Sequence, residues 1–218
     1  MRILALVHQP DAPPGTYADV VRGAGAELAV WDVARADPPD PAAYDGVIVL
    51  GGSAHPDQED DHPWILRELD VLRGLVRDDV PTLGICLGAQ LLARVLGASV
   101  GPAPEEVGFT EVVLTDEARG DPLLGGLPAR FDAFQWHRYG FGLPAGAVAL
   151  ARNDAGLQAF RHGDRAWAVQ FHPEVDGAIA AAWAAYDGTE APPGDYDAWR
   201  GLGARVCRGF LDVCGMRL

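Results

Sequence analysis

The sequence predicts a doubly wound α/β protein with a mainly parallel central sheet, helices on both faces and a smaller β layer. Up to residue 97, short apolar runs alternate with stretches of helical periodicity, which is typical of βα units. The runs are almost continuously apolar, as expected for parallel strands buried on both faces. After residue 97 the pattern changes to short strand candidates separated by turns, which would form the β layer. No repeat or convincing boundary divides the chain, so residues 1–218 are predicted to form a single domain.

The first part of the chain provides strands and helices in alternation. The predicted strands are 3–7, 27–33, 45–50 and 82–85, and the predicted helices are 17–25, 63–76 and 87–97. The second part is predicted to contain strands 108–114, 130–136, 147–151, 157–161 and 166–171. Two further helices, 177–186 and 196–213, follow these strands.

The charge balance and the cysteine count exclude several classes of function. The chain has 17 basic and 31 acidic residues, a net charge of −14, which argues against nucleic acid binding through a basic surface. Every basic residue is Arg, and the absence of Lys excludes a Walker A phosphate loop and a Schiff-base lysine. No apolar run approaches the roughly 20 residues that span a bilayer, so no membrane association is expected. Three cysteines without an export signal predict a reducing cytoplasm.

Cys86 is the first candidate catalytic residue, because it lies where a strand turns into a helix. The apolar run from Thr82 stops at Cys86, and helical periodicity begins directly afterwards. Gly84 and Gly88 flank the cysteine and permit the tight turn of a nucleophile elbow. The start of the helix would then lie beneath the sulfur and favour the reactive thiolate. The pattern alone is equally compatible with a buried core cysteine, which is the expected role of Cys207 and Cys214.

His172 and Glu174 form the second candidate group. They follow the predicted strand 166–171 and would therefore lie at the carboxyl edge of the sheet, as Cys86 does. Residues two apart in an extended segment point the same way, so Glu174 could orient the imidazole towards the thiol. A structural histidine is the alternative interpretation. The H-x-E spacing does not favour a metal site, and the order nucleophile, His, acid differs from that of α/β-hydrolases.

Taken together, the motifs Gly-Ile-Cys-Leu-Gly-Ala-Gln and Gln-Phe-His-Pro-Glu resemble those of the class I, or triad, glutamine amidotransferase family. The resemblance extends at least over residues 47–175. Residues 51–64 and 135–137 are similar to the stand-alone, GMP-synthase-like branch. The resemblance implies the flavodoxin-like fold of that family, with Cys86 as nucleophile, His172 as base and Glu174 as the residue that orients the base.

The resemblance also implies the remaining parts of the site and its chemistry. The oxyanion donors would be the backbone N–H groups of Gly52 and Leu87, and Gln90 matches the family position near the bound glutamine. His137 is a candidate for substrate contact, with a structural histidine as the alternative. The implied reaction is hydrolysis of a γ-glutamyl amide through a thioester, without a metal or organic cofactor. Because no ATP-binding half is recognisable, a separate synthetase subunit would use the ammonia. A free-standing γ-glutamyl peptide hydrolase and a non-catalytic regulatory module are the alternatives.

Overall fold

The structure is a computed structural model that describes residues 1–215, and a mixed sheet of nine strands forms its centre. The strands are β1 (Arg2–Val7), β2 (Glu27–Asp32), β3 (Gly46–Val49), β4 (Thr82–Ile85), β5 (Val100–Leu114), β6 (Arg130–Phe141), β7 (Ala147–Asn153), β8 (Gly156–His162) and β9 (Ala166–Val169). The helices are α1 (Thr16–Gly23), α2 (Trp64–Arg77), α3 (Leu87–Val95), α4 (Gly177–Tyr186) and α5 (Tyr196–Gly215). Short 3₁₀ turns cover Pro41–Ala43 and Asp116–Gly120.

The strand order β2-β1-β3-β4-β9-β8-β7-β5-β6 divides the sheet into two halves. The strands from β2 to β9 pair in parallel, and those from β9 to β6 pair in antiparallel fashion. This arrangement confirms the predicted α/β fold with its parallel centre. The smaller group of β-strands is continuous with the parallel half, because β9 pairs with both β4 and β8.

Helices cover both faces of the parallel half. Alternate side chains of β1 enter different cores, since neighbouring residues in a strand point to opposite faces. Ile3 packs in one cluster with Tyr17 of α1 and Phe210 of α5. Leu4 packs in another cluster with Leu69 of α2. The doubly wound arrangement that the apolar strands predicted is therefore present.

The two longest strands exceed their predicted lengths. β5 begins at Val100 instead of residue 108, and β6 continues to Phe141 instead of residue 136. Residues 100–107 include Pro102 and Pro104, which cannot donate to a strand ladder, and the pairing register shifts between Pro102 and Glu106. This irregularity removes the alternating pattern that would have revealed the strand. β9, in contrast, ends at Val169, so residues 170–174 leave the sheet at its carboxyl edge.

We expect Gly88→Ala to destabilise the protein because the turn at Cys86 has no room for another methyl group. A Cβ atom at Gly88 would lie 2.2 Å from the backbone oxygen of Val49. Overpacking of this kind typically lowers the free energy of unfolding by about 1–3 kcal/mol, which urea denaturation would measure. Gly74→Ala in α2 is the matched control, because a Cβ atom there has only the tip of Arg77 within 4 Å. Equal stability of the two variants would contradict the tight packing of the turn.

Candidate active site

Cys86 occupies a strained turn between β4 and α3. Its backbone has φ 49° and ψ −107°, and a positive φ is uncommon for any residue other than glycine. The turn is held on both sides, since the N–H of Cys86 donates to Val169 O at 2.9 Å and its carbonyl accepts from Gln90 N at 2.9 Å. Strain of this kind costs about 1–3 kcal/mol and is concentrated at functional sites. The sulfur therefore lies at the N-terminus of α3, beside backbone N–H groups that have no partner within the helix.

The pairing of β4 with β9 brings His172 to Cys86. Ile85 is opposite Val169 in the parallel register, so Cys86 and the segment after β9 leave the sheet side by side. A Cβ atom at Gly51 would lie 2.7 Å from Cε1 of His172 and 3.4 Å from Cβ of Cys86. The structure thus brings the predicted thiol, the predicted base and the Gly51–Gly52 segment close together.

Glu174 and two neighbouring elements hold His172 in place. Nδ1 of His172 lies 2.8 Å from Oε1 of Glu174, and both side chains are buried. The backbone N–H of His172 donates to Phe134 O in β6 at 2.9 Å. From α5, Nε1 of Trp199 donates to His172 O at 3.0 Å. The imidazole consequently has a fixed orientation and a fixed partner for one of its two nitrogens.

The electrostatic surroundings of His172 favour the imidazolium form. Burial acts to lower its pKa, but the charges of Glu174 and Cys86 and the hydrogen bonds with both raise it to about 10. Nε2 makes no hydrogen bond by distance and angle within residues 1–215, and the neighbouring thiol of Cys86 is one of the groups that raise the pKa of the ring. The arrangement can therefore hold a protonated His172 beside the sulfur of Cys86, with a proton available for a leaving group.

The predicted oxyanion residues lie next to each other beside Cys86. The segment 51–53 follows β3 and is anchored to the end of β1: Nδ1 of His8 lies 2.9 Å from Gly51 O, and Ser53 N donates to Oε1 of Gln9 at 2.8 Å. A Cβ atom at Gly52 would lie 3.2 Å from Cδ2 of Leu87, so the two residues are in contact. That the backbone N–H groups of Gly52 and Leu87 act as oxyanion donors remains a prediction.

Gln90 and His137 also line the cleft at Cys86, and each has protein partners. The amide nitrogen of Gln90 donates to Tyr139 O at 3.0 Å. Nε2 of His137 lies 3.1 Å from Oε2 of Glu106. Burial alone would raise the pKa of Glu106, but hydrogen bonds from His137, Thr110 and other groups lower it. His137 is thus held against a carboxylate at the back of the cleft, and substrate contact by either residue remains a prediction.

The cleft has a volume of about 380 Å³, within the range of about 300–1,000 Å³ that is usual for small-molecule sites. The indole of Trp183 meets the ring of His172 edge to face, with centroids 5.0 Å apart. On the other side, the ring of Tyr139 stacks on His55 at 4.1 Å. Arg138 and Glu105 form an exposed ion pair of 2.8 Å at the mouth. The cleft therefore has aromatic walls and a charged mouth.

Several residues of the site were not predicted from the sequence. Trp183 and Glu106 lie in segments without a motif. His8 follows β1 at the carboxyl edge of the sheet, the position that identified Cys86 and His172, so the same rule could have found it. Its partner Glu68 is fully buried on α2. The sequence did contain a signal for Glu68, because it is the only carboxylate on the otherwise apolar buried face of α2.

The other sulfurs and the carboxylates offer no competing site within residues 1–215. Cys207 and Cys214 are buried in α5, and burial raises the pKa of each thiol to about 12, so neither is a nucleophile near neutral pH. No group of three or more His, Cys, Asp or Glu side chains in that range is placed to hold a metal ion. The helices of the described chain are also too short or too polar to cross a membrane.

Known proteins resemble the chain over most of its length. The model of the family described as "Glutamine amidotransferase class-I" matches residues 17–181. GMP synthase [glutamine-hydrolyzing] from Thermomicrobium roseum is 34% identical over 175 residues, which are 78% of this chain but only 27% of that protein. A separate subunit of GMP synthase [glutamine-hydrolyzing] from Haloarcula marismortui is 35% identical over 158 residues, 71% of this chain and 76% of that protein.

The solved structures give the same picture of the fold. The crystal structure of a glutamine amidotransferase from Thermotoga maritima superposes with a TM-score of 0.85 and 27% sequence identity. The superposition covers 96% of this chain and 98% of the other. The similarity therefore includes the antiparallel half of the sheet as well as the parallel half.

Proposed function

Because the chain belongs to the class I glutamine amidotransferase family, we propose that it hydrolyses the side-chain amide of glutamine and releases ammonia. The observation that carries the proposal is the contact of Cys86 with the His172–Glu174 pair at the carboxyl edge of β4 and β9. A thiol, a base and a carboxylate that orients the base are the groups that acyl transfer from an amide requires.

In the acylation step, the thiolate of Cys86 attacks the carbonyl carbon of the glutamine side chain. The N–H groups of Gly52 and Leu87 stabilise the negative charge that develops on the carbonyl oxygen. The imidazolium of His172 gives its Nε2 proton to the amide nitrogen, and the C–N bond breaks to release ammonia. A γ-glutamyl thioester remains on Cys86, while Glu174 keeps its hydrogen bond to Nδ1 throughout.

In the second step, water hydrolyses the thioester. His172, now neutral at Nε2, takes a proton from the attacking water. The same N–H groups stabilise the second oxyanion, and its collapse breaks the C–S bond. Glutamate leaves, and Cys86 and His172 return to the thiolate and the imidazolium.

The charged mouth of the cleft suits the amino-acid end of a γ-glutamyl substrate. Arg138 offers a positive charge, while Asp11, Glu105 and Asp187 offer negative charges. The free α-carboxylate of a γ-glutamyl substrate would complement the positive charge of Arg138. Its free α-ammonium group would complement the negative charges of the three carboxylates. This end is common to glutamine and to γ-glutamyl peptides, so the mouth favours the γ-glutamyl class as a whole.

We propose that a separate synthetase consumes the ammonia. The relatives from Haloarcula marismortui, Ignicoccus hospitalis and Sulfolobus acidocaldarius are each named as one subunit of GMP synthase, which implies a further subunit in those proteins. A γ-glutamyl peptide hydrolase is the second candidate function. One observation favours it: Tyr186 at the mouth of the cleft is 85% exposed, and a residue beyond the γ-glutamyl group could pack on its ring.

We expect the lone chain to hydrolyse glutamine slowly and a synthetase partner to accelerate it, because ammonia released without an acceptor is lost. Steady-state release of glutamate and ammonia from glutamine and from γ-glutamyl dipeptides would test this expectation. A kcat/KM within the usual range of about 10⁴–10⁸ M⁻¹s⁻¹ on a dipeptide, and far less on glutamine, would favour the peptide hydrolase. Failure of Cys86 to react with any γ-glutamyl compound would instead indicate a non-catalytic module.

A further inference from the structure

A buried histidine outside the triad holds the segment that faces Cys86. His8 lies at the end of β1, and its side chain is 2% exposed. Nδ1 of its ring lies 2.9 Å from Gly51 O, and Nε2 lies 3.0 Å from both carboxylate oxygens of Glu68. The indole of Trp64 lies 5.2 Å away, centroid to centroid. Both ring nitrogens are therefore occupied, and His8 cannot act as a general base in this arrangement.

The two partners of His8 determine its protonation. The carbonyl of Gly51 can only accept, so Nδ1 must donate; beside an ionised Glu68, Nε2 donates as well, and the ring is then an imidazolium. Burial opposes this charge, but Glu68 on α2, the carbonyl of Gly51 and Asp32 on β2 together raise the pKa of His8. The result is a buried ion pair whose cation makes a charge-assisted hydrogen bond to one peptide carbonyl.

That peptide also contains the predicted oxyanion donor. The carbonyl of Gly51 and the N–H of Gly52 belong to the same peptide bond, and no peptide bond within residues 1–215 is cis. In a trans peptide the two groups point in opposite directions, so the partner of Gly51 O fixes the direction of Gly52 N–H. The peptide group between two glycines can rotate at low energetic cost, so a hydrogen bond to another residue is needed to hold it in one orientation.

We propose that His8, supported by Glu68, is a positioning residue that keeps Gly52 N–H directed at the oxyanion site. The proposal rests on the proposed function, in which that N–H stabilises the tetrahedral intermediate. Gln9 holds the other end of the same segment through Ser53 N. The end of β1 thus supports the donor, while α3 supplies the second donor at Leu87. Glu68 keeps the imidazolium charged and fixes its ring plane.

Two amide substitutions of His8 distinguish the hydrogen bond made by Nδ1 from the one made by Nε2. The side-chain nitrogen of Asn reaches about the place of Nδ1, whereas that of Gln reaches about the place of Nε2. His8→Gln and His8→Leu should therefore lower kcat on glutamine by about 10²–10³, the usual cost of one oxyanion donor, with little change in KM. His8→Asn should recover most of this loss. His62→Leu is the control, since His62 also contacts Trp64, at 5.7 Å, but not the Gly51 peptide.

Alkylation by iodoacetamide and crystal structures complete the test. Iodoacetamide reacts with the thiolate of Cys86 without forming an oxyanion, so its rate should be the same in all four variants and the wild type. In the structures of His8→Gln and His8→Leu, Gly51 O should point away from position 8. If folded His8→Gln keeps the wild-type kcat, or if the peptide keeps its direction in both variants, the proposal is wrong. A wild-type chain that releases no glutamate contradicts the proposed function instead, and the peptide direction still decides the role of His8.

Discussion

Cys86→Ala should abolish the proposed glutamine hydrolysis, with an expected fall in kcat of about 10⁶, the effect of removing the nucleophile from a comparable triad. The reason is that no other thiol of the described chain can replace it, since Cys207 and Cys214 are buried and hardly ionised at neutral pH. The measurement is glutamate release, with circular dichroism to verify the fold. Cys207→Ala is the matched control and should keep the wild-type kcat.

Covalent labelling tests the same assignment independently of turnover. An electrophilic glutamine analogue should add one adduct per chain, and mass spectrometry should locate it on the peptide that contains Cys86. In the proposed mechanism the sulfur of Cys86 at the start of α3 is the reactive group, and the cleft would bind the analogue next to it. Labelling of Cys86→Ala at the wild-type rate would show that another residue is the nucleophile.

His172→Ala should cost about as much as Cys86→Ala, whereas Glu174→Gln should lower kcat by about 10⁴, as the loss of the orienting acid does in other triads. In the proposed mechanism His172 moves the proton in both steps, while Glu174 fixes the ring through the 2.8 Å contact with Nδ1 and stabilises its charge. Steady-state kinetics on folded variants would rank the three effects. If Glu174→Gln is as inactive as Cys86→Ala while His172→Ala keeps most of its activity, the roles are wrong.

The pH profile gives this prediction a second measurement. Glu174 is one cause of the raised pKa of His172, about 10, so Glu174→Gln should lower that pKa. The alkaline limb of kcat/KM should then move to lower pH, because the imidazolium is lost earlier as pH rises. The stability that the pair contributes follows the same sign: it is fully present below the ordinary pKa of 6.5 and disappears as pH rises through about 10. An alkaline limb that stays in place would contradict the role of Glu174.

The sequence was most informative where the signal was local. Gly84, Cys86 and Gly88 are neighbours in the chain, and the sharp turn that they predict requires no knowledge of the rest of the fold. The pairing of β4 with β9 joins residues about 84 positions apart, as in Ile85 with Val169, and no local pattern specifies such a contact. The approach of His172 to Cys86 therefore followed from the resemblance and from the rule about sheet edges.

Two features escaped prediction for different physical reasons. The start of β5 was missed because prolines and a register shift interrupt its alternation. The His8–Glu68 pair was missed because His8 directly follows β1 while Glu68 lies on the otherwise apolar buried face of α2, and neither element indicates its partner. Buried ion pairs depend on packing between elements, and this information is absent from the periodicity of either element.

The contact between α5 and the turn at His172 makes the position of the predicted base depend on α5. Trp199 donates to His172 O, and Gly203 packs so closely against Pro173 that a Cβ atom there would lie 1.9 Å from Pro173 O. A ribosome translates Cys86 more than a hundred codons before Trp199. A nascent chain that ends before Trp199 therefore lacks the hydrogen bond from α5 that helps to hold His172. We expect His172 to be fully constrained beside Cys86 only after α5 has been translated and has docked.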